Sequence, residues 1–329
     1  MPHSVVVLLS TYNGEHYLRD QVTSILKQTG LNTLFSLRLY IRDDHSTDQT
    51  FELIKHLQHE FPEAIEIVGD GQENLGVRGS FLALVKQAPK NQDLYFFSDQ
   101  DDIWEPQKVT TFLEHAKMHP DSQPMGYYSD LWVADANAVA TGKKMSDVAH
   151  WRTDNTDYEF LSFNYRVTGA AFAINAKAQA MLANMSFQLL NLANMHDSFF
   201  ALAIAATGEM VLINEPLTRY RQHANNVVGA SGHRKTLAEH WHSAFVFPGQ
   251  KIFNNVLLAQ FMTAQQLGFN HSKNREIMQD YLDYYAAKHF WNRWQAALKI
   301  KAHISQPHPT LGLLKIMLVN CTQSFNLPD

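Results

Sequence analysis

Residues 94–104 of the chain read LYFFSDQDDIW, an apolar and aromatic run that stops abruptly at Ser98. Asp99, Asp101 and Asp102 follow within the next four positions. A short continuous apolar run is typical of a strand that is covered on both faces. The stretch therefore predicts a buried strand whose carboxyl end carries a high density of negative charge.

The segments around this strand alternate between a strand pattern and a helix pattern. Apolar runs predict strands at residues 5–10, 37–44, 65–70 and 94–99. Three helices are predicted between them: one at about 15–28, one that begins after a cap at Ser46-Thr47-Asp48, and one at 79–88. Alternating strands and helices indicate an α/β fold with a doubly wound, mostly parallel central sheet.

The second half of the chain is less regular and then becomes helical. Strands are predicted at 125–135, 167–174 and 211–223, and helices at 176–185 and 197–207. From about residue 235, helical spacing predicts one helix through 252–264 and another at 275–302, with a break at Pro248-Gly249. We therefore expect one domain over residues 1–235 and a helical C-terminal region over 236–329.

Polar loops follow the predicted strands of the first half, at TYNG, at DDHSTD, near Asn74 and at SDQDD. Open α/β sheets bind their ligands outside the carboxyl ends of the strands. The four loops should gather at that edge, so they predict one shared site.

The acidic loop needs a positive partner, since neighbouring carboxylates raise each other's pKa. Oxygen ligands favour a hard cation such as Mg²⁺ or Mn²⁺, and Mg²⁺ is often held by one or two carboxylates together with substrate phosphates. The cluster thus predicts a divalent metal and a phosphate-bearing substrate. In the alternative interpretation Asp102 caps a helix that begins near Pro106, which accounts for one aspartate and not for three.

Further candidate residues lie at other strand and helix ends. Asp43 and Asp44 can accept a hydrogen bond from a nucleobase or a ribose, or can form a turn. The junction NLGVRGSF (74–81) can present backbone amides to a phosphate, and Arg78 can approach a diphosphate or stay on the surface. Asp197 can act as a general base at a helix N-terminus, or can cap that helix.

The segment RYRQH (219–223) ends a strand-like run. Arg219 and Arg221 lie on one face of an extended segment and suit a diphosphate leaving group, while His223 can complete a metal shell. The following loop, ANNVVGASGHRK, is rich in small and polar residues and predicts a lid.

The composition bounds the class of protein. The chain has 329 residues, of which 45% are hydrophobic, and a formal net charge of −5. This charge gives no sign of a nucleic-acid partner, and the single cysteine, Cys321, fits a reducing compartment. No apolar stretch approaches the roughly 20 residues that span a bilayer. We expect a cytoplasmic protein, soluble or peripherally attached at the inner face of the membrane.

Seven segments, in order, resemble those of inverting family 2 glycosyltransferases with the GT-A fold. They are STYNGEHYL, RDDHSTDQT, NLGVRGSF, SDQDDIW, VTGAAF, HDSFF and YRQHANNVVG, and they cover about residues 4–230. The forms SDQDDIW and YRQHANNVVG are most similar to those of bacterial rhamnosyltransferases that build surface polysaccharides. The resemblance implies transfer from dTDP-L-rhamnose, or from a UDP-sugar, to a glycan on a lipid diphosphate.

The resemblance also implies roles for individual residues. Asp197 matches the catalytic base, and Asp44 with Asp43 beside it matches the residues that hold the nucleobase. A metal ion, Mg²⁺ or Mn²⁺, is implied to bind Asp99, Asp101 and His223. The other donor-binding positions are Thr11, Tyr12, Asn13, Asn74, Gly76, Arg78, Asp99, Asp102 and Arg221. The acceptor side is implied to include Trp104, Thr168, Gly169 and His196.

The C-terminal region matches no segment of that family. The stretch KHFWNRWQAALKIKAH (288–303) is basic and contains two tryptophans, and LGLLKIML (311–318) follows it. Such a stretch can lie in a membrane interface, pack on the rest of the chain or form a homo-oligomer contact. Two rival functions are a sugar-1-phosphate nucleotidyltransferase, whose basic loop after the first strand this chain lacks, and a non-catalytic glycan-binding protein.

Overall fold

The computed structural model describes residues 2–119, 121–151, 153–223 and 237–303. Three features named from the sequence lie outside these residues, namely the predicted lid at 224–235, the apolar segment at 311–318 and the single cysteine, Cys321. Within the described ranges, no helix is both long enough and apolar enough to cross a membrane.

One sheet of nine strands forms the centre of the described structure. The strands are β1 (His3–Thr11), β2 (Phe35–Asp43), β3 (Ile65–Ile67), β4 (Leu94–Ser98), β5 (Ile103–Trp104), β6 (Met125–Ala134), β7 (Ala140–Lys144), β8 (Phe172–Ile174) and β9 (Glu209–Arg221). Their order is β3-β2-β1-β4-β8-β6-β9-β5, with β7 paired to β6.

The strands β3, β2, β1 and β4 pair in parallel, which confirms the predicted α/β fold and its doubly wound core. Beyond β4 the sheet continues with antiparallel pairs, β4 with β8 and β8 with β6, and at its far edge β9 with β5. The less regular sequence after residue 125 therefore builds the antiparallel part of the same sheet.

The parallel strands form because apolar runs are buried on both of their faces. In β1 the side chains of Val7, Leu8 and Leu9 are 0% exposed, and in β4 every residue from Leu94 to Ser98 is buried. Burying one such aliphatic side chain contributes about 1.5–3 kcal/mol. The apolar runs thus fix the strands, and the polar residues after them stand at the sheet edge.

Twelve α-helices lie between and after these strands in the described part of the chain. They are α1 (Leu18–Leu26), α2 (Thr50–Glu60), α3 (Gly76–Gln87), α4 (Lys108–Lys117), α5 (Met145–Val148), α6 (Tyr158–Leu161), α7 (Ala176–Leu182), α8 (Phe187–Leu192), α9 (His196–Thr207), α10 (Leu237–Ala264), α11 (Ser272–Ala286) and α12 (Phe290–His303), with a short 3-10 helix at Gly169–Ala171.

The structure tests three predictions about helix ends. The predicted cap of α2 is confirmed at Asp48, whose Oδ1 accepts a hydrogen bond from the backbone N of Thr50, the first residue of the helix (3.0 Å). The other two predictions were wrong. Pro248-Gly249 does not break α10, since a proline removes one backbone donor without stopping a helix that is otherwise supported. The helix predicted at 275–302 is two helices, because the backbone becomes extended at Ala287.

The chain forms two compact units. The first comprises residues 1–154, 167–184 and 210–231, and the second comprises 155–166, 185–209 and 232–329. The first contains the sheet, and the second contains α6, α8, α9 and the C-terminal helices. The domain boundary near residue 235 stays a prediction, and two segments that precede it in sequence belong to the second unit.

Candidate active site

The loops after three parallel strands begin at neighbouring points of the sheet edge. Thr11 of β1 lies opposite Asp43 of β2, and Leu9 of β1 lies opposite Ser98 of β4. The carboxyl ends of these strands are therefore level with one another. The register places the TYNG, DDHSTD and SDQDD loops side by side.

Gln100 ties the loop after β4 to the loop after β1. Its Oε1 accepts hydrogen bonds from Thr11 Oγ1 (2.5 Å) and from the backbone N of Tyr12 (2.8 Å), and its Nε2 donates to the Tyr12 carbonyl (3.1 Å). Tyr12 is 48% exposed, so its backbone is fixed while its ring faces solvent. Sequence reasoning missed Gln100, because an amide among three aspartates gives no signal of its own.

Asn13 ties the loop after β1 to the loop after β2. Its Oδ1 accepts from the backbone N of Thr47 (2.8 Å), and its own backbone N donates to Ser46 Oγ (2.9 Å). Asn13 has a φ of 50°, a left-handed conformation that asparagine adopts more readily than most residues. The first two loops are therefore held together by side chain to backbone bonds.

The two aspartates at the end of β2 are buried and have different partners. Asp43 accepts hydrogen bonds from the backbone N and the Oγ of Ser46 (3.0 and 2.5 Å). Asp43 therefore closes a turn, as the sequence analysis allowed in place of contact with a nucleobase or ribose. Asp44 Oδ1 accepts from the backbone N of Leu75 (2.8 Å) and lies 3.5 Å from Arg42 Nη2. Both carboxylates brace loops, and their contact with a nucleobase stays a prediction.

The loop before α3 joins the same edge through Asn74. Its Nδ2 donates to the Asp44 carbonyl (2.9 Å), and its Oδ1 accepts from the backbone N of Gly76 (3.2 Å). Gly76 has a φ of +67°, which favours glycine, and Arg78 follows half-buried in the first turn of α3. The fourth predicted loop therefore reaches the loop after β2.

Asp101 and His223 lie far apart in sequence and are in contact. Nε2 of His223 lies 2.9 Å from Asp101 Oδ2. The His223 ring stacks on the Tyr17 ring, with 4.7 Å between the ring centroids and 20° between the planes. The Arg221 guanidinium lies 4.7 Å from the centroid of the Tyr17 ring. Tyr17 therefore positions both residues, although its place at the start of α1 did not mark it in the sequence.

Arg221 is 4% exposed and bonds to backbone carbonyls. Its Nε donates to the carbonyl of Asp101 (2.6 Å) and its Nη1 to the carbonyl of Ala136 (2.9 Å). These bonds hold the acidic loop against the end of β9. Contact between Arg221 and a diphosphate stays a prediction.

The third aspartate of the acidic loop is buried. Asp102 is 1% exposed, and its Oδ1 accepts from the backbone N of Arg221 (3.0 Å). Burial raises the pKa of the Asp102 carboxyl well above its usual range, and the charges of Asp101 and Asp99 raise it further. The capping alternative is wrong, because α4 begins only at Lys108.

Lys108 is fully buried beneath the acidic loop. Its Nζ donates to the Ala170 carbonyl (2.7 Å) and to Thr218 Oγ1 (2.8 Å), and lies 3.9 Å from the centroid of the Trp104 ring. Burial lowers the pKa of Lys108 to about 7, against the opposing effect of the nearby aspartates. Sequence reasoning missed this residue, since a lysine in a helix is normally solvent-exposed.

The first-unit residues expected on the acceptor side differ in exposure. Trp104 is 2% exposed, and its ring lies 5.3 Å from that of Phe96 in the core, so it has no free surface for an acceptor. Thr168 is half-buried and directly precedes the 3-10 helix, which begins at the buried Gly169. The acceptor roles of Thr168 and Gly169 stay predictions.

The acidic loop offers only part of a coordination shell to a metal ion. Among the residues that the structure describes, no group of three or more His, Cys, Asp or Glu side chains could hold a metal. Two protein ligands are sufficient where substrate phosphates complete the shell. The carboxylate of Asp101 and the imidazole of His223, in contact with each other, fit a metal that binds together with a diphosphate.

In the second unit, Asp197 lies in the first turn of α9. The N-cap of this helix is Met195, so the interpretation of Asp197 as the N-cap was wrong. Asp197 Oδ1 accepts from the backbone N of Ser198 (2.6 Å), which holds the carboxylate against the first turn of α9. His196 is buried, with its ring edge towards Phe200.

Residues 6–133 match the family model of glycosyl transferase family 2. These residues contain the loops after β1, β2 and β4 and the start of α3. These residues form a glycosyl transferase family 2 domain. The part of the glycosyltransferase that matches the family model therefore includes the parallel strands whose loops are joined by Gln100 and Asn13.

Two known proteins are similar in sequence to the glycosyltransferase. It is 28% identical to the dTDP-rhamnosyl transferase RfbG of Shigella flexneri over 231 residues, which are 68% of this chain and 74% of that protein. It is 30% identical to the uncharacterized glycosyltransferase alr2836 of Nostoc sp. over 149 residues, which are 44% of this chain and 43% of that protein.

Solved structures share the fold of the glycosyltransferase. TarS 1–349 of S. aureus in complex with UDP-GlcNAc aligns with a TM-score of 0.52 at 13% identity, over 96% of this chain and 88% of that one. The same protein without a named ligand aligns with a TM-score of 0.50 at 15% identity. The predicted GT-A architecture with a helical C-terminal region is thereby confirmed.

Proposed function

We propose that the chain transfers L-rhamnose from dTDP-L-rhamnose to a hydroxyl of a growing bacterial surface glycan, with inversion at the anomeric carbon. The observation that carries the proposal is the set of four strand-end loops, bonded to one another around the acidic segment 99–102. The similarity to a dTDP-rhamnosyl transferase supports the choice of donor.

The donor is proposed to bind at the carboxyl edge of the parallel strands. Tyr12 presents an exposed ring from a backbone that Gln100 fixes, which suits a nucleobase or a ribose. Asp44 and Asn74 brace the neighbouring loop at the start of α3, where Gly76 and Arg78 can approach the diphosphate.

A divalent metal, Mg²⁺ or Mn²⁺, is proposed to bind with the donor. Asp101 and His223 would hold it, with Asp99 on the same loop as Asp101. When bound, it supplies positive charge that stabilises the departing diphosphate. Tyr17 orients His223 by stacking, and Arg221 fixes the carbonyl of Asp101, so these residues prepare the ligands.

Asp197 is proposed to act as the general base. It takes the proton of the acceptor hydroxyl, whose oxygen bonds to the anomeric carbon as the bond from that carbon to the diphosphate oxygen breaks. The nucleoside diphosphate leaves with the electrons of that bond, and the sugar configuration is inverted.

The acceptor and the cellular context belong to the same proposal. A glycan carried on a lipid diphosphate is the acceptor class, and it is reached from the cytoplasmic face through a peripheral contact. The basic segment 288–303 favours such a contact, and association of two chains through the same segment is the alternative.

A thermal-shift experiment tests the donor assignment. The protein is heated with Mn²⁺ and dTDP-L-rhamnose, UDP-, GDP- or CDP-sugars in turn. A ligand that binds the folded state stabilises it by mass action, about 2.7 kcal/mol at 100 times its dissociation constant. We expect dTDP-L-rhamnose to raise the melting temperature most. A larger shift with UDP-sugars would replace the donor, and no shift with any of them would contradict the transferase.

A further inference from the structure

Helix α10 carries a buried asparagine that bonds to the segment before α9. Asn254 is 2% exposed, and its Oδ1 accepts from the backbone N of Asn194 (3.3 Å). Gln250, one turn earlier, donates from its Nε2 to the Leu192 carbonyl (3.4 Å) and to Asn254 Oδ1 (3.2 Å). Two side chains of α10 thus satisfy backbone groups of residues 192–194.

That segment leads directly into the first turn of α9. The helix begins at His196, its N-cap has no side-chain cap hydrogen bond, and Asp197 follows. The direction in which the chain enters a helix sets the direction of the first side chains. Because Asn194 is three residues before Asp197, a shift of the Asn194 backbone would move the Asp197 carboxylate.

Asn254 also orients Tyr165 through its other side-chain atom. Asn254 Nδ2 donates to the Tyr165 hydroxyl (3.3 Å), so the hydroxyl accepts this bond and keeps its own proton for another acceptor. Burial raises the pKa of Tyr165 above its usual range, and the charge of Asp197 raises it further. The phenol therefore lies within the electrostatic reach of Asp197.

We propose that Asn254 is a positioning residue for Asp197, acting through the Asn194 backbone and the Tyr165 hydroxyl. The inference rests on the proposed role of Asp197 as the base. It gives α10, in a region without family motifs, a part in sugar transfer. It also separates donor binding, in the first unit, from the placement of the base by the C-terminal helices.

The test replaces Asn254 by leucine and uses a matched control on the same helix. Asn255 is 0% exposed and equally polar, but it bonds to the Tyr158 hydroxyl (2.7 Å) and the Ser162 carbonyl (3.0 Å). Asn254→Leu and Asn255→Leu therefore remove comparable buried bonds, and only the first removes a contact with the segment before Asp197.

Two readouts are measured on the full-length chain. The first is hydrogen exchange of the peptide that covers residues 192–197, because the Asn194 amide loses its acceptor in Asn254→Leu. The second is release of dTDP from dTDP-L-rhamnose with Mn²⁺, to water where no sugar acceptor is supplied. We expect Asn254→Leu to exchange faster in this peptide and to lower kcat about tenfold or more, with KM for the donor unchanged within about twofold. Asn255→Leu should retain the wild-type kcat in its folded fraction.

Tyr165→Phe keeps the ring and removes only the hydroxyl, so it gives an independent readout if Asn254→Leu does not fold. The hydroxyl accepts the bond of Asn254 Nδ2, so its removal releases one side of the asparagine. We expect Tyr165→Phe to exchange faster at residues 192–197 and to lower kcat, in the same direction as Asn254→Leu, with KM for the donor unchanged.

Several outcomes would overturn the inference. They are unchanged exchange at 192–197 in Asn254→Leu, an equal loss of kcat in Asn255→Leu, and wild-type exchange and kcat in Tyr165→Phe. The activity of Asp197→Asn shows whether the positioning role of Asn254 fails alone or together with the proposed role of Asp197 as the base. If Asp197→Asn is inactive while Asn254→Leu is fully active, only the inference fails. If Asp197→Asn is fully active, the base assignment fails and the inference fails with it.

Discussion

Gln100 shows how a single side chain can hold a binding edge together. Its amide makes three hydrogen bonds to Thr11 and Tyr12, across 88 and 89 positions of sequence. Each such bond contributes about 0.5–1.5 kcal/mol net. These bonds fix the backbone on which the exposed Tyr12 ring stands, so Gln100 matters for the shape of the loop and not only for its stability.

Gln100→Leu should therefore weaken nucleotide binding. Without the amide, the loops after β1 and β4 lose their connection and Tyr12 loses its fixed backbone. We expect the dissociation constant for dTDP, measured by titration calorimetry with Mn²⁺, to rise about tenfold, which equals about 1.4 kcal/mol.

The control for this measurement is Gln107→Leu. Gln107 is exposed, and its side chain makes no capping hydrogen bond although it stands at the N-cap of α4. Its replacement should leave the affinity unchanged. A wild-type affinity in Gln100→Leu would contradict the role given to the loop connection.

At the scale of elements, charged side chains join three helices of the second unit. Glu159 of α6 accepts from Lys273 Nζ of α11 (2.5 Å) and faces His303 Nδ1 of α12 (3.1 Å). His303 Nε2 in turn lies 3.0 Å from Asp280 Oδ2. Glu159, in a helix of one turn, is thereby tied to both C-terminal helices.

This cluster predicts a pH-dependent contribution to stability. Partial burial raises the pKa of Glu159, but its bonds with Lys273 and His303 outweigh burial and hold the pKa below its usual value. A carboxyl with a lowered pKa binds fewer protons when folded than when unfolded. Its stabilisation is therefore present above the unfolded pKa of about 4.3 and is lost as the pH falls through the folded value.

Glu159→Gln should be less stable than the wild type at pH 7, by less than about 1 kcal/mol, because the pair is partly exposed. In urea denaturation the two proteins should begin to converge only below about pH 4.3, and should meet as the pH falls through the lower folded pKa of Glu159. Glu276→Gln, at an exposed site on α11, is the control and should follow the wild type throughout. A constant difference at every pH would argue against the ionic contribution.

At the scale of the whole molecule, each unit is assembled from segments that are distant in sequence. Residues 155–166 and 185–209 belong to the second unit, whereas 167–184 and 210–231 belong to the first. The residues proposed for the donor and the metal are in the first unit, and Asp197 is in the second. The proposal therefore assigns donor binding and proton removal to different units.

Two substitutions should separate these steps. Asp101→Ala should abolish the thermal shift caused by dTDP-L-rhamnose with Mn²⁺, because a proposed metal ligand is lost. Asp197→Asn should keep that shift and lower kcat about 10²–10⁴-fold, the usual contribution of a general base. Circular dichroism checks that both variants fold.

Removal of the metal gives a further check on the same assignment. Wild-type protein treated with EDTA should behave like Asp101→Ala. Undiminished turnover after EDTA treatment would contradict the metal, and full activity of Asp197→Asn would contradict the base.

The sequence by itself determined the parallel part of the fold and the place of the site. Continuous apolar runs such as 5–10 and 94–99 can be satisfied only by burial on both faces, which makes them central parallel strands. In such a sheet the polar loops at the strand ends must meet at one edge. Local pattern is enough for both conclusions.

Only the tertiary structure decided which polar residues are buried and support the loops. Asp102 and Lys108 are buried, Asp43 closes a turn, and the links made by Gln100 and Asn254 cross long stretches of sequence. The type of a residue determines which groups its side chain can bond to. Which partner it bonds to depends on the packing of segments that are distant along the chain. Local pattern contains no trace of that choice.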